Sequence, residues 1–325
     1  MLTRKEKESL LEVLETKKNV ACLTHLETDA DTLGSALSWQ IFLENRGIKT
    51  HVIVPDPKPH KLIYLPNYKN IYIKEPDLET LDALFVFDCG DAGRTGNKQH
   101  YLDNKLYTVN IDHHTNNPNF GDLNIVRSNA SSTGEMLYEI YQELRVTIFS
   151  EMATHLYAAI FTDTMGFRSD TTTPRTIEIA ADLAKLGAQI HSVHRGAYGS
   201  KSFEALTFQN SILSKVSHDQ SKQIFWCTIT EEDFLQFGIG LEDTMDIIDI
   251  LLTLEEAQIV IVFKELGNCI KVSMRTKNNI NAAKICSVIG GGGHPHAGGA
   301  TTTKGLAETK HLIVQEAKRF LPLQD

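Results

Sequence analysis

Three apolar runs early in the chain each stop at an acidic or imidazole side chain, and this repetition restricts the fold more than any other feature. Asn19 to Thr24 stops at His25, Asp82 to Phe87 ends in Asp88-Cys89-Gly90-Asp91, and Leu106 to Ile111 ends in Asp112-His113-His114. Short runs rich in Val, Ile, Phe and Tyr, bounded by polar turn residues, predict buried strands. Strand, polar turn and helix recur in that order, which predicts a parallel sheet with helices on both faces. In such sheets ligands bind at the carboxyl ends of the strands, where these side chains are delivered.

The remaining pattern completes an α/β chain. Helices are expected over residues 3–18, 32–46, 131–143, 151–163 and 174–187, with a second strand at Lys49 to Val54 and an edge strand at Ile71 to Ile73. Pro174 suits a first helical position. Residues 188–214 read as a helical linker, after which the composition changes. Strands are expected at 224–229, 257–263 and 269–274, and helices at 243–254, 280–289 and 306–320. A length of 325 residues predicts about two domains. The expected division is a catalytic domain over 1–187, the linker over 188–214, and a smaller α/β domain over 215–325.

Composition narrows the function classes. Hydrophobic content of 42% and charged content of 22% suit a globular protein. No apolar run reaches the roughly 18 residues that span a bilayer, and the N-terminus has mixed charge with no apolar signal core. Five cysteines, Cys22, Cys89, Cys227, Cys269 and Cys286, are odd in number and lack any CxxC pair, which predicts reduced thiols and a cytoplasmic location. A formal charge of −9 argues against wrapping long nucleic acid. A homodimer is compatible with the sequence, which does not fix the oligomeric state.

Four polar clusters sit at predicted element ends: His25 with Asp29 and Asp31, Asp88, Asp112 with His113 and His114, and Asp163. Singly, Asp29 or Asp31 reads equally as a helix cap, Asp88 as a turn residue and the histidines as a solvated surface turn. Together, several carboxylates at one sheet edge repel one another unless cations lie between them. A pair of divalent ions about 4 Å apart, bridged by a shared carboxylate, resolves that repulsion. Nitrogen donors beside oxygen donors suit manganese better than calcium. In the second half, the glycine run 290–293 reads as an anion-binding loop or as a flexible hinge. With His294 attached and Arg275 on the preceding strand, an anion pocket is the better reading. Arg94 either faces the same cleft or forms a surface ion pair, and Cys89 reads as buried packing.

Taken in order, these motifs resemble the DHH phosphoesterases, in the branch of nanoRNases and adenosine 3′,5′-bisphosphate phosphatases that carry a DHH-associated C-terminal domain. The resemblance rests on H-L-E-T-D-A-D-T-L-G-S, D-C-G-D-A-G-R-T-G, I-D-H-H, F-T-D-T-M-G-F, V-S-M-R-T-K and G-G-G-G-H-P-H-A-G-G. It implies that His25 and Asp29 hold one ion, that Asp31, His113 and Asp163 hold the other, and that Asp88 bridges both. It also implies that His114 lies against the scissile phosphate while Asp112 orients the ligands. Arg94, Arg275, Gly291, Gly292, Gly293 and His294 are then the expected substrate-binding residues. Thr28 stands where the family often has Pro, and Asn279-Ile280-Asn281 where an acidic residue is common; neither departure falls on an expected ligand.

The implied activity is metal-dependent hydrolysis of very short RNA or DNA, such as pApA, to mononucleotides, and of adenosine 3′,5′-bisphosphate to AMP. A cyclic di-AMP phosphodiesterase shares the metal set and is the alternative. An inorganic pyrophosphatase fits the C-terminal signature less well, and a silent nucleotide sensor is expected to lack a ligand.

Overall fold

The computed structural model describes residues 2–55, 59–72, 75–104, 106–199 and 201–321. The chain forms two compact units, Met1–Ser200 and Lys201–Asp325. The first runs α1 (Arg4–Thr16), β1 (Asn19–Leu23), α2 (Ala30–Glu44), β2 (Lys49–Ile53), β3 (Ala83–Phe87), α3 (His100–Asp103), β4 (Tyr107–Asp112), β5 (Leu123–Val126), α4 (Thr133–Glu143), α5 (Ser150–Asp163), α6 (Pro174–Lys185) and α7 (Ile190–Tyr198). The stretch 188–214 is thus divided, with α7 in the first unit and the next helix in the second.

The first unit is built on a five-stranded sheet in the order β2-β1-β3-β4-β5, parallel throughout. Every residue of β3, A-L-F-V-F, is buried, as a strand covered on both faces must be. One face carries Val20, Cys22, Phe85, Phe87, Val109 and Ile111 against α2, α4 and α5. The other carries Ala21, Leu23, Leu84 and Val86. The chain leaves β1 for β2 and returns to β3 on the far side of β1, so the order reverses between β1 and β3. That reversal opens a crevice at the carboxyl ends of the two strands.

Two features depart from the sequence reading. Residues 68–72 form a 3-10 helix in place of an edge strand; Ile73 lies outside the described residues. Tyr68 and Ile71 are both buried, a spacing of three that a helical turn satisfies and strand alternation does not. β5 is too short, at four residues, to stand out from its polar surroundings.

The second unit contains α8 (Phe203–Leu213), β6 (Ser217–His218), β7 (Ile224–Ile229), α9 (Glu231–Phe237), α10 (Met245–Leu252), β8 (Ile259–Leu266), β9 (Cys269–Thr276), α11 (Ala282–Cys286), β10 (Gly292–His294), β11 (Ala297–Thr302) and α12 (Leu306–Arg319). Its mixed sheet has the order β10-β11-β9-β8-β7-β6. The glycine run is not an open loop: it leads into the first strand of a hairpin, with Gly292 opposite Gly299 and Gly293 opposite Gly298. Glycine is required by close approach there. A Cβ on Gly291 would lie 2.3 Å from the carbonyl oxygen of Gly299, and one on Gly293 would lie 2.3 Å from that of Ala297. Real Cβ atoms do not pack that tightly, so only glycine lets these backbones meet.

Candidate metal centre

At the crevice between β1 and β3 the strand ends bring their polar side chains into contact. Asp88, which follows β3, is buried with φ of 56°, a left-handed backbone that costs a non-glycine residue roughly 1–3 kcal/mol and recurs at functional sites. Its amide donates to the Ile111 carbonyl at 3.0 Å, holding the turn against β4. The carboxylate then lies 3.2 Å from His25 Nε2 and 3.3 Å from His113 Nε2, and accepts from the Thr133 hydroxyl at 3.2 Å.

All three histidines are oriented from behind. His25 Nδ1–H donates to the Leu26 carbonyl at 2.7 Å, and His113 Nδ1–H to the Ala130 carbonyl at 3.3 Å. A carbonyl can only accept, so Nδ1 carries a proton and Nε2 is the atom presented forward, to a second proton or to an ion. His114 Nδ1–H donates to Asp112 at 2.7 Å, and its Nε2 lies 3.3 Å from Arg94 Nη1. Asp112 is itself held by Asn117, whose amide donates to it at 2.6 Å. Gly90 makes room for the His114 ring, since a Cβ there would approach the ring to 3.2 Å.

Two carboxylates arrive from α2. Asp29 caps the helix, accepting from the amides of Asp31 and Thr32, while its second oxygen lies 3.6 Å from His25 Nε2. Asp31 is buried and accepts from the Thr133 and Gly134 amides, both at 2.8 Å. These are the first two N–H groups of α4, which a helix cannot satisfy internally and which favour an anion. Asp163 closes the set from the last residue of α5, with an oxygen 3.5 Å from His113 Nε2.

Three groups of donor atoms result: His25-Asp29-Asp88, Asp31-His113-Asp163 and Asp88-His113-His114, each with its atoms within 4.8 Å of one another. Asp88 and His113 each belong to two. The cluster is frustrated without cations. Burial pushes the Asp31 carboxyl well above its usual range, with Asp88 and Asp163 adding repulsion. Asp163 rises to about 7 through burial, partly relieved by His113. Burial would lower His113, but its hydrogen bond to Asp88 and the surrounding carboxylates raise it to about 11. Burial likewise opposes Asp88, yet His113 and His25 hold it well below the carboxylate range. Protons thus occupy places that a divalent ion would fill, and a donor set of imidazole nitrogens and carboxylate oxygens fits such an ion. Cys89 is buried and its thiol is pushed up to about 12 by that burial, so it packs and does not attack.

Arg275, on β9 opposite Ala297, and Gly291 to His294 belong to the second unit. The sequence reading missed the residues that hold the ligands: the Thr133 and Gly134 amides, the Ala130 carbonyl and Asn117. A helix was expected over 131–143, and Ser132 caps α4 by accepting from the Glu135 amide at 3.0 Å. The backbone donors one residue further on have no side-chain signature.

The model of the DHH family N-terminal domain matches residues 19–160, and that of the DHHA1 domain matches residues 233–322. The bifunctional oligoribonuclease and PAP phosphatase NrnA of Thermus thermophilus is 30% identical over 287 residues, which cover 87% of this chain and 83% of that protein. Its counterpart in Bacillus subtilis is 26% identical over 308 residues, covering 91% and 93%. Among solved structures, an exopolyphosphatase-related protein from Bacteroides fragilis has a TM-score of 0.89 over 98% of both chains at 20% identity. That likeness is one of fold.

Proposed function

The chain belongs to the DHH family, with a DHHA1 domain in its second unit, and from that premise we propose that this hydrolase cleaves very short oligonucleotides such as pApA to mononucleotides and dephosphorylates adenosine 3′,5′-bisphosphate. The single observation that carries the reading is the overlap of donor groups at Asp88 and His113, which suits two adjacent ions. The NrnA relatives, named as oligoribonucleases and PAP phosphatases, support the substrate class.

In this proposal His25, Asp29 and Asp88 hold one ion, and Asp31, His113 and Asp163, with Asp88 shared, hold the second; manganese is preferred. When bound, such ions supply positive charge to the phosphate and acidify an attacking water. The chain's own residues do the rest. Asp112 and Asn117 fix the His114 ring, and His114 with Arg94 faces the scissile phosphate, where a guanidinium complements its oxygens. Arg275, Gly291 to Gly293 and His294 bind the nucleotide end of the substrate from the DHHA1 domain, so that chains longer than a few nucleotides gain little from a protein of net charge −9. Five free cysteines suit a reducing compartment such as the cytoplasm.

The test is a comparison of initial rates with manganese on pApA, RNAs of increasing length, cyclic di-AMP, adenosine 3′,5′-bisphosphate and pyrophosphate. Rates highest on pApA and the bisphosphate, falling steeply with length, are expected. Pyrophosphate or long RNA turned over as fast as pApA would overturn the proposal.

A further inference from the structure

The second unit contains a cavity of about 510 Å³ that the proposed chemistry does not use. It arises because β6 is only two residues long: it pairs with Phe225 and Trp226 and then ends, so β7 has no strand opposite Thr228 on that side. The notch left between the edge of β7, α9 and the first turns of α12 is lined by residues that include Trp226, Thr228, Lys215, Lys310 and two carboxylates, Asp233 and the exposed Glu232. It lies at the opposite edge of the sheet from the β10–β11 hairpin, four strand spacings away, about 19 Å.

The lining is chemically mixed in a specific way. Asp233 is neutralised by Lys215 at 2.6 Å and also accepts from the Thr230 amide and hydroxyl. Lys310, by contrast, has no hydrogen-bond or ion-pair partner among the described residues; its ammonium lies 6.0 Å from the Phe263 ring, and partial burial lowers its pKa. Lys310 makes no direct ion pair, with Glu265 acting on its charge at longer range, so a half-buried cation beside a half-exposed indole leaves a direct contact and a flat face unfilled. A simple dianion would match the charge alone and would meet the Asp233 carboxylate. A planar heteroaromatic group that carries both hydroxyls and a phosphate matches all three features, with the ring on Trp226, hydroxyls toward Asp233 and phosphate on Lys310. We propose that this cavity of the second unit is a further ligand site, built from none of the metal-centre residues, that binds a nucleoside monophosphate. The ligand class follows from the cavity's own groups and stands whether or not the metal centre cleaves oligonucleotides.

The chain carries its own reporter, because of its two tryptophans Trp39 is fully buried in the first unit and Trp226 is half exposed. The full chain, kept metal-free with EDTA, is titrated with AMP, adenosine and inorganic phosphate up to about 1 mM, a range that saturates a weak site, while tryptophan emission is followed. AMP should quench saturably and Trp226→Phe should abolish the signal. Lys310→Met should weaken AMP binding about tenfold, with Lys310→Arg restoring it, and Lys310→Met should hydrolyse pApA at the wild-type rate. The quenching should persist in Arg275→Ala. Absence of saturable quenching, adenosine binding as tightly as AMP, or loss of the signal in Arg275→Ala would each overturn the proposal.

Discussion

Replacing Gly134 with alanine adds one methyl group at the place where α4 delivers its first amides to Asp31. The new Cβ would lie 2.4 Å from the Ala159 Cβ on α5 and 3.4 Å from the Asp31 carboxylate. Carbon atoms in contact sit about 3.5–4.0 Å apart, so α4 must back away from α5 by more than about 1 Å. Overpacking of that kind costs roughly 1–3 kcal/mol, and the better helix propensity of alanine returns up to about 1 kcal/mol. With the full propensity gain the net loss is up to about 2 kcal/mol, and each kcal/mol lowers the Tm of a 200-residue unit by about 2–4 °C. The same retreat disturbs both 2.8 Å bonds to Asp31, and loss of such a supporting bond weakens metal affinity about 10–100-fold. Ser132→Ala separates the two effects. It removes the cap hydroxyl, costs about 1 kcal/mol of stability and leaves the Asp31 contacts in place. The assay is manganese titration by calorimetry alongside thermal unfolding for both variants. If Gly134→Ala binds manganese like the wild type, or if Ser132→Ala loses affinity to the same extent, the amides of α4 do not position Asp31 for an ion.

Three further outcomes are expected. Hydrolysis should stop in EDTA and return with manganese or cobalt more fully than with magnesium, because imidazole donors suit the later metals; full activity in EDTA would contradict this. Ion binding should release protons, since His113, at about 11, is protonated at neutral pH and Asp163, at about 7, is partly so. Affinity should therefore rise with pH by up to about tenfold per unit for each proton displaced, and calorimetry in buffers of different ionisation enthalpy that shows no proton release would refute it. In the second unit, Asp219 is opposed by burial but held below its usual pKa by bonds from the Ser221 hydroxyl and the Ile224, Ser221 and Gln223 amides. A carboxyl whose folded pKa is depressed contributes stability above its unfolded value, lost as pH falls through the folded one. Asp219→Asn should thus cost about 1–3 kcal/mol at neutral pH, with the gap closing as pH falls through the depressed folded pKa; a gap that stays constant with pH would count against it.

What could be read from the sequence were side-chain facts with a period. The strand ends at His25, Asp88 and Asp112 stood out because a buried run stops abruptly at a charge, and the structure places them at the carboxyl edge of a parallel sheet. Features made by backbone were not legible. The amides that grip Asp31 belong to Thr133 and Gly134, and a helix start looks the same whether or not its N–H groups face a carboxylate. The glycine run concealed a hairpin, since strand propensity disfavours glycine and the reason for it lies in the facing carbonyls of Gly299 and Ala297. The expected edge strand at Ile71 to Ile73 rested on β-prone residue types, whereas burial over the 3-10 helix Tyr68–Tyr72 follows the spacing of three between Tyr68 and Ile71.

The central claim is that the crevice between β1 and β3 holds two ions that share Asp88, and Asp88→Asn tests it most directly because it keeps the side-chain volume and removes the shared charge. Metal content per chain and pApA turnover should be measured together on the wild type and on this variant. Two manganese ions per wild-type chain are predicted. In the variant, metal content should fall below two and turnover should drop by about a thousandfold or more, as expected when charge and geometry are lost together. A variant that still carries two ions and turns over pApA at nearly the wild-type rate would contradict the account.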